Sequence, residues 1–259
     1  MPGAGTIPQF RWPVVMAAGN KTIRYGDASG NTDAALAEGT YFWRGDGSAA
    51  DLAVALDTAL TAAAVTTGSG IGFTVALADT GILTITGTGA FALDFSHANT
   101  TADPDIFGFL AANYTSVGNV ITSPHQVGNA WFPEQSYIDD TEDVPHYRQV
   151  ITGVINGRVR TQRWGSVTKR SVLVDVLPPR KVFQAEEVRR GEAFERFQAH
   201  LSTGGRYEFC RDFTSTRGTY STYTPDPEMP AELGPWPATI PHSMIRRYDV
   251  RLSMQRYVA

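Results

Sequence analysis

The chain has 259 residues, 42% of them hydrophobic and 19% charged, with a net charge of −4. That composition suits a globular protein able to bury a core, in one large β-rich domain or two ordinary ones. It excludes an overall basic nucleic-acid binder. The single cysteine, Cys210, excludes an intrachain disulfide, and no apolar run approaches the ~20 residues that span a bilayer as a helix, so no membrane insertion is expected.

Residues 1–20 hold Pro2, Gly3, Gly5, Pro8 and Pro13 around Phe10 and Trp12. Proline fixes φ and removes donors, so this stretch reads as an extended N-terminal arm. It lacks a basic start followed by a long apolar core, so no secretory signal is read there and synthesis in a cytoplasm is expected. Residues 20–25 alternate weakly and 40–44 are rich in aromatics, and both read as strands. Ser48 is placed to cap a helix, with Asp51 three residues on as in a capping box. Leu52, Leu56 and Leu60 then recur at helical spacing among alanines. They predict about four turns that stop before Gly68-Ser69-Gly70. Three strand patterns follow, at 73–77, 82–86 and 91–95. Short glycine-bearing connections join them, as in an antiparallel meander.

Residues 96–142 read as mostly irregular. Asp139-Asp140-Thr141-Glu142-Asp143 lacks the alternation and central glycine of a Ca²⁺ loop and reads as a solvated turn at a domain boundary. A hairpin follows, 147–155 and 158–164 flanking Asn156-Gly157, the pair that favours a type I′ turn. A strand is expected at 171–176 and a helix over about 185–201. The helix has Phe194, Phe197 and Leu201 as its inner face, a Glu192/Arg196 pair one turn apart, and Gly204-Gly205 as its stop. Residues 206–213 alternate like a strand. Residues 214–244 carry Pro225, Pro227, Pro230, Pro235, Pro237 and Pro241, a loop too long for an ordinary connector. The segment 248–257 alternates cleanly, as a strand with one buried face does.

The expected fold is therefore α+β and β-rich: two domains of antiparallel sheet, each with one packed helix. After the arm at 1–20 come a helix-plus-β-meander module at 21–135 and a β-rich domain at 136–259 that contains the loop 214–244. Charge divides along the same line. Residues 1–135 carry 4 Lys/Arg and 11 Asp/Glu; residues 136–259 carry 18 and 15. An acidic half joined to a basic half suggests copies that meet face to face.

No catalytic constellation stands out. His97, His125, His146, His200 and His242 lack the short spacings of zinc sites. Gly68-Ser69-Gly70-Ile71-Gly72 joins a helix to a strand, the reverse of a dinucleotide fingerprint. Gly165-Ser166 lacks the second glycine of a nucleophile elbow. Cys210 reads as a small strand residue rather than a nucleophile. The expectation is no enzyme, with no catalytic, cofactor-binding or metal-binding residue and no cofactor. Trp43, Trp131, Trp164 and Trp236, with Tyr220 and Tyr223, either line a sugar-binding surface or serve as core and interface anchors. Alternation puts Arg158 and Arg160 on one strand face and Arg163 on the other, which suits a solvated face or a salt-bridged subunit contact.

The helix signal Gly45-Asp46-Gly47-Ser48-Ala49-Ala50-Asp51-Leu52, the three strands and the closing Asp105-Ile106-Phe107-Gly108-Phe109 resemble a module of tailed-bacteriophage structural proteins. In that module a helix and a small sheet end in D-[IL]-[LF]-G-F. The likeness covers residues 40–115. Residues 145–257 resemble distal-tail and other tail-tube-derived proteins in element order: a hairpin, further strands, one helix packed on the sheet and a terminal strand. The resemblance implies a virion structural protein of the tail tip or baseplate. It implies a ring of identical subunits around a channel, linking the tail tube to receptor-binding parts and assembled in the host cytoplasm. Its partners would be copies of itself, other tail proteins and, transiently, DNA passing the channel, with the proline loop as an arm onto a neighbour. Other readings are a carbohydrate-binding adhesin module and a head- or connector-associated virion protein. Phe107 and Phe109 are expected in the core, with Gly108 turning the chain between them.

Overall fold

Alternating segments cut by glycines give antiparallel strands, and the alanine-rich stretch between them gives a helix. The computed structural model describes residues 9–78, 80–131, 139–140, 144–155, 158–176, 196–197, 199–210, 220–225 and 248–256. In the first half these are β1 (Gln9–Arg11), β2 (Val14–Met16), β3 (Thr22–Asp27), β4 (Gly30–Ala35), β5 (Gly39–Tyr41), α1 (Leu52–Thr67), β6 (Phe73–Leu77), β7 (Ile82–Gly87), β8 (Phe91–Asp94), β9 (Asn113–Thr115), β10 (Val120–Gln126) and β11 (Ala130–Trp131). The second half adds β12 (Asp139–Asp140), β13 (Val144–Ile155), β14 (Arg158–Val176), β15 (Tyr207–Cys210), β16 (Ser221–Pro225) and β17 (Tyr248–Arg256). The fold is α+β and β-rich, and every strand pairing is antiparallel.

The leucine stripe of α1 is buried as expected: Leu52, Leu56 and Leu60 join Ala53, Ala59, Ala63 and Ala64 against β3, β4 and β6. Gly68, at φ 83°, ends the helix, and the Gly68 and Ser69 amides return to the Val65 and Ala64 carbonyls. The start differs from expectation. Asp51, not Ser48, caps the helix, its carboxylate accepting from the Ala53 amide at 3.1 Å. The same carboxylate accepts from the amides of Arg44, Asp46 and Gly47. The Ser48 carbonyl instead closes a turn to the Asp51 amide. The loop 44–50 thus folds back over one buried carboxylate, a closure that residue spacing alone does not show.

The three expected strands do not form a meander. β6 and β7 pair, but β10 takes the other edge of β7, with Ile121 opposite Ile85, in the order β10-β7-β6. β8 crosses to β3, with Leu93 opposite Tyr25, in the order β4-β3-β8-β9. The corner at Gly87 is tight: a Cβ there would lie 2.9 Å from the Gly89 carbonyl oxygen and 3.0 Å from the Phe91 ring. The Phe73 and Phe91 rings meet edge to face across the two sheets, 4.9 Å between centroids. β10 lies in the stretch expected to be irregular. Pro124 sits at its register shift, and the Ser123 hydroxyl replaces a ladder bond by accepting from the Leu83 amide.

The remaining sheet runs β11-β1-β15-β16-β17-β14-β12, with β13 also on β14. The expected arm is therefore corrected: residues 9–11 form an interior strand between β11 and β15. Phe10, fully buried, lies against Trp131, Phe197 and Phe209. Three residues beside Pro13 are too few to show a period. Both halves of the chain thus contribute strands to this sheet. The acidic cluster is corrected in part, since Asp139 and Asp140 pair with β14 and are no turn; residues 141–143 lie outside the described residues. The proline loop is likewise interrupted by β16, a run of β-formers closed by Pro225. Residues 226–244 of that loop lie outside the described residues, as do Asn156-Gly157, Glu192, Phe194 and Trp236. Ile155 pairs with Arg158 around the expected two-residue turn. Residues 196–197 and 199–202 are helical, with Phe197 fully buried on the sheet and Gly204, at φ 70°, past the end. β17 pairs on both sides, with β14 and β16, as its alternation predicts.

Replacing Asp51 by Ala removes the cap and the acceptor of three loop amides, and is expected to cost about 2–4 kcal/mol. Ser48→Ala should cost well below that. Urea denaturation of the two variants checks the assignment; equal effects would contradict it.

Candidate functional site

The densest polar cluster joins the two halves of the chain. β1 carries Gln9 and Arg11, and β15 carries Glu208; all three are buried. β15 is covered on both faces, so Glu208, which alternation would turn outward between Tyr207 and Phe209, is buried along with them. The Arg11 Nε donates to Glu208 Oε2 at 2.7 Å, and its NH2 group contacts the same oxygen. Its NH1 donates to the Trp43 carbonyl at 3.0 Å. Arg44 donates to the other carboxylate oxygen at 2.9 Å. The Arg11 guanidinium lies 3.0 Å from the centroid of the Tyr220 ring, and the Tyr220 hydroxyl donates toward Gln9 Oε1 and the Arg44 carbonyl. Gln9 in turn donates to the Trp43 carbonyl.

Burial lowers the Arg11 pKa, opposed by the nearby Tyr220 and Glu208, and burial raises that of Tyr220. Arginine nonetheless stays charged in proteins. Three N–H groups from two guanidinium groups engage the carboxylate, two at Oε2 from Arg11 and one at Oε1 from Arg44. The chemistry available to this cluster is structural: it clamps β1, the 42–44 loop and β15 together.

The motif segment at 105–109 forms a second junction. Asp103 accepts from the Asp105 amide and opens a short 3-10 turn over Pro104–Phe107. Phe107 and Phe109 are buried, as expected, and Gly108 has φ 75°. A Cβ on Gly108 would lie 2.4 Å from the His125 carbonyl oxygen, so only glycine fits. The Trp43 indole donates to the Ile106 carbonyl, and the Gly128 amide donates to the Asp105 carbonyl at 2.9 Å. Arg196, from the second-half helix, pairs with the Asp105 carboxylate.

A third cluster centres on Asp27. The hydroxyls of Tyr25, Thr67 and Ser69 donate to its Oδ2, and the amides of Ser29 and Gly30 to its Oδ1, tying the β3–β4 turn to the end of α1. Burial pushes the Asp27 carboxyl up, but the bonds from Thr67, Ser69 and Tyr25 outweigh it and hold it down at about 2. Burial and then the bond to Asp27 push Tyr25 up to about 12.

Trp43, Trp131 and Tyr223, weighed as sugar-binding aromatics, are buried, and Tyr220 is half-buried under Arg11. Cys210 is buried in β15 as a small strand residue. Among the described residues no group of three or more His, Cys, Asp or Glu converges as metal ligands, and no helix is long and apolar enough to cross a membrane.

Removing one partner of a buried ion pair strands the other, so Glu208→Ala is expected to lose about 3–5 kcal/mol. The apolar double variant Arg11→Met/Glu208→Leu should lose clearly less. Urea denaturation of the single and double variants reads the coupling; additive losses would mean the two side chains act independently. The Asp27 pKa lies below its ordinary 3.8 in the folded state. Its contribution is therefore full above about pH 4 and fades as pH falls toward 2. Asp27→Asn should lower the urea midpoint at neutral pH and flatten its fall across that window; a parallel pH profile would overturn the assignment.

In comparisons with known proteins, the chain matches no family model and no curated sequence.

Proposed function

We propose that the chain is a structural protein of a tailed-bacteriophage virion, a ring-forming distal-tail component of the tail tip or baseplate. In this reading it links the tail tube to receptor-binding parts. The observation that carries the reading is the hairpin β13–β14. β17 pairs with β14 only over residues 169–176, and β12 only at 172–173. From Thr168↔Pro145 to Arg158↔Ile155 the two strands pair with each other alone among the described residues. This ribbon extends roughly 35 Å beyond the sheet. A two-stranded ribbon is marginal by itself in water, and its open edges invite a further strand. Such an element suits a subunit completed by its neighbours. The phage-like segment 105–109 supports the reading differently, since Phe107 and Phe109 are packed in the core and Gly108 is the residue that lets them be.

In this assembly the polar clusters hold each subunit rigid, and the work is mechanical. The carbohydrate-binding alternative draws no support from Trp43, Trp131 and Tyr223, whose rings are inside the protein. Negative-stain electron microscopy of the purified protein, with light scattering on the same sample, is expected to show a closed ring with a central opening. A monomer at every concentration would overturn the reading.

A further inference from the structure

We propose that the β13–β14 ribbon of one copy adds to the β9 edge of the next copy, seated between Leu110 and Val117. The inference rests on the ring reading above and names the two surfaces that meet. β9 pairs with β8 on one side and has no partner on its other side among the described residues. Its flanks expose two large apolar side chains, Leu110 at 56% and Val117 at 85%. A short open edge bracketed by apolar residues is the geometry of strand addition, where main-chain bonds give affinity and flanking side chains give register.

The ribbon has the matching chemistry. Residues 144–169 are rich in Val, Ile and Thr and contain five basic residues (Arg148, Arg158, Arg160, Arg163 and Lys169) and no acidic one. Residues 21–131, which carry β9, hold ten acidic residues and three basic ones. Asp94, opposite Asn113 in the register, lies one strand behind the open edge, on β8. Ribbon and edge are different surfaces of the chain, so the contact is head to tail, the kind that closes rings. A second copy is therefore favoured over an unrelated partner: one chain supplies both the open strands of a basic ribbon and the open edge of an acidic module.

Two variants test the contact from its two sides: R158E/R160E/R163E on the ribbon and L110K/V117K beside β9. Each is expected to raise the concentration needed for assembly about tenfold or more while leaving the monomer's melting temperature within a few degrees of wild type. Wild-type association should also weaken as salt rises from about 0.05 M to about 0.5 M. Hydrogen exchange should show amides 113–117 and 144–169 gaining protection together as the protein assembles. Wild-type assembly by both variants, or assembly indifferent to salt, would overturn this contact and leave the ring reading standing. Ribbon amides equally protected in the monomer would also overturn it, showing that the chain covers its own ribbon. A wild-type protein that never assembles would overturn the ring reading itself, and this contact with it.

Discussion

The described structure depends on a buried charge being satisfied from three directions. Arg11 has no exposed surface, and its counter-charge Glu208 lies 197 residues away. Desolvating such a pair costs several kcal/mol per ion, and the cost is offset only when geometry and hydrogen bonding are complete. Here completion needs the Trp43 carbonyl, Arg44 and the Tyr220 ring as well. None of these groups can be in place unless β1, the 42–44 loop and β15 are already assembled. The cluster therefore couples segments that a sequence-local view would treat as separate. It also favours one register, since sliding β1 by one residue would turn Arg11 away from Glu208.

The second junction works by shape rather than charge. Gly108 lets the backbone reverse where any Cβ would strike the His125 carbonyl. That reversal puts Phe107 against Trp43 and Phe109 against Phe95 and Tyr114. It also turns the Asp105 and Ile106 carbonyls toward the Gly128 amide and the Trp43 indole. With Trp43 supplying a carbonyl to Arg11 and an indole to Ile106, the two junctions share one side chain and one peptide. A disturbance at either site is felt at the other through Trp43.

The parts of the fold read correctly from sequence are those with local periodicity. The leucine stripe of α1 and the alternation of β6 each repeat at a spacing that buries one face, the long hairpin is marked by Asn156-Gly157, and the terminal strand by its alternation. What the sequence hid has physical causes. β1 is three residues long beside a proline, so it shows no period, yet it sits in the middle of a sheet. β10 contains Pro124, which a ladder tolerates only at its irregularity, where Ser123 substitutes a side-chain bond. The helix cap moved from Ser48 to Asp51 because the competing donors come from the 44–47 loop, whose return over the helix start is a tertiary event. Glu208 was illegible as a buried group because alternation assumes one solvated face, and β15 has none.

Satisfied polar groups brace the described structure. An active site needs polar groups held near, but not consumed by, their neighbours. Three carboxylates here are engaged: Glu208 by two arginines, Asp51 by four backbone amides, Asp27 by three hydroxyls and two amides. Engagement of that kind holds a body rigid, while main-chain donors and acceptors stay open along strand edges such as β9. A rigid subunit with open edges can pass its orientation on to the next copy, because backbone pairing fixes both distance and angle between the strands it joins. In the ring proposed above, that angular definition matters more than the strength of any single contact, since a small error per subunit accumulates around the circle and leaves the last interface unmade.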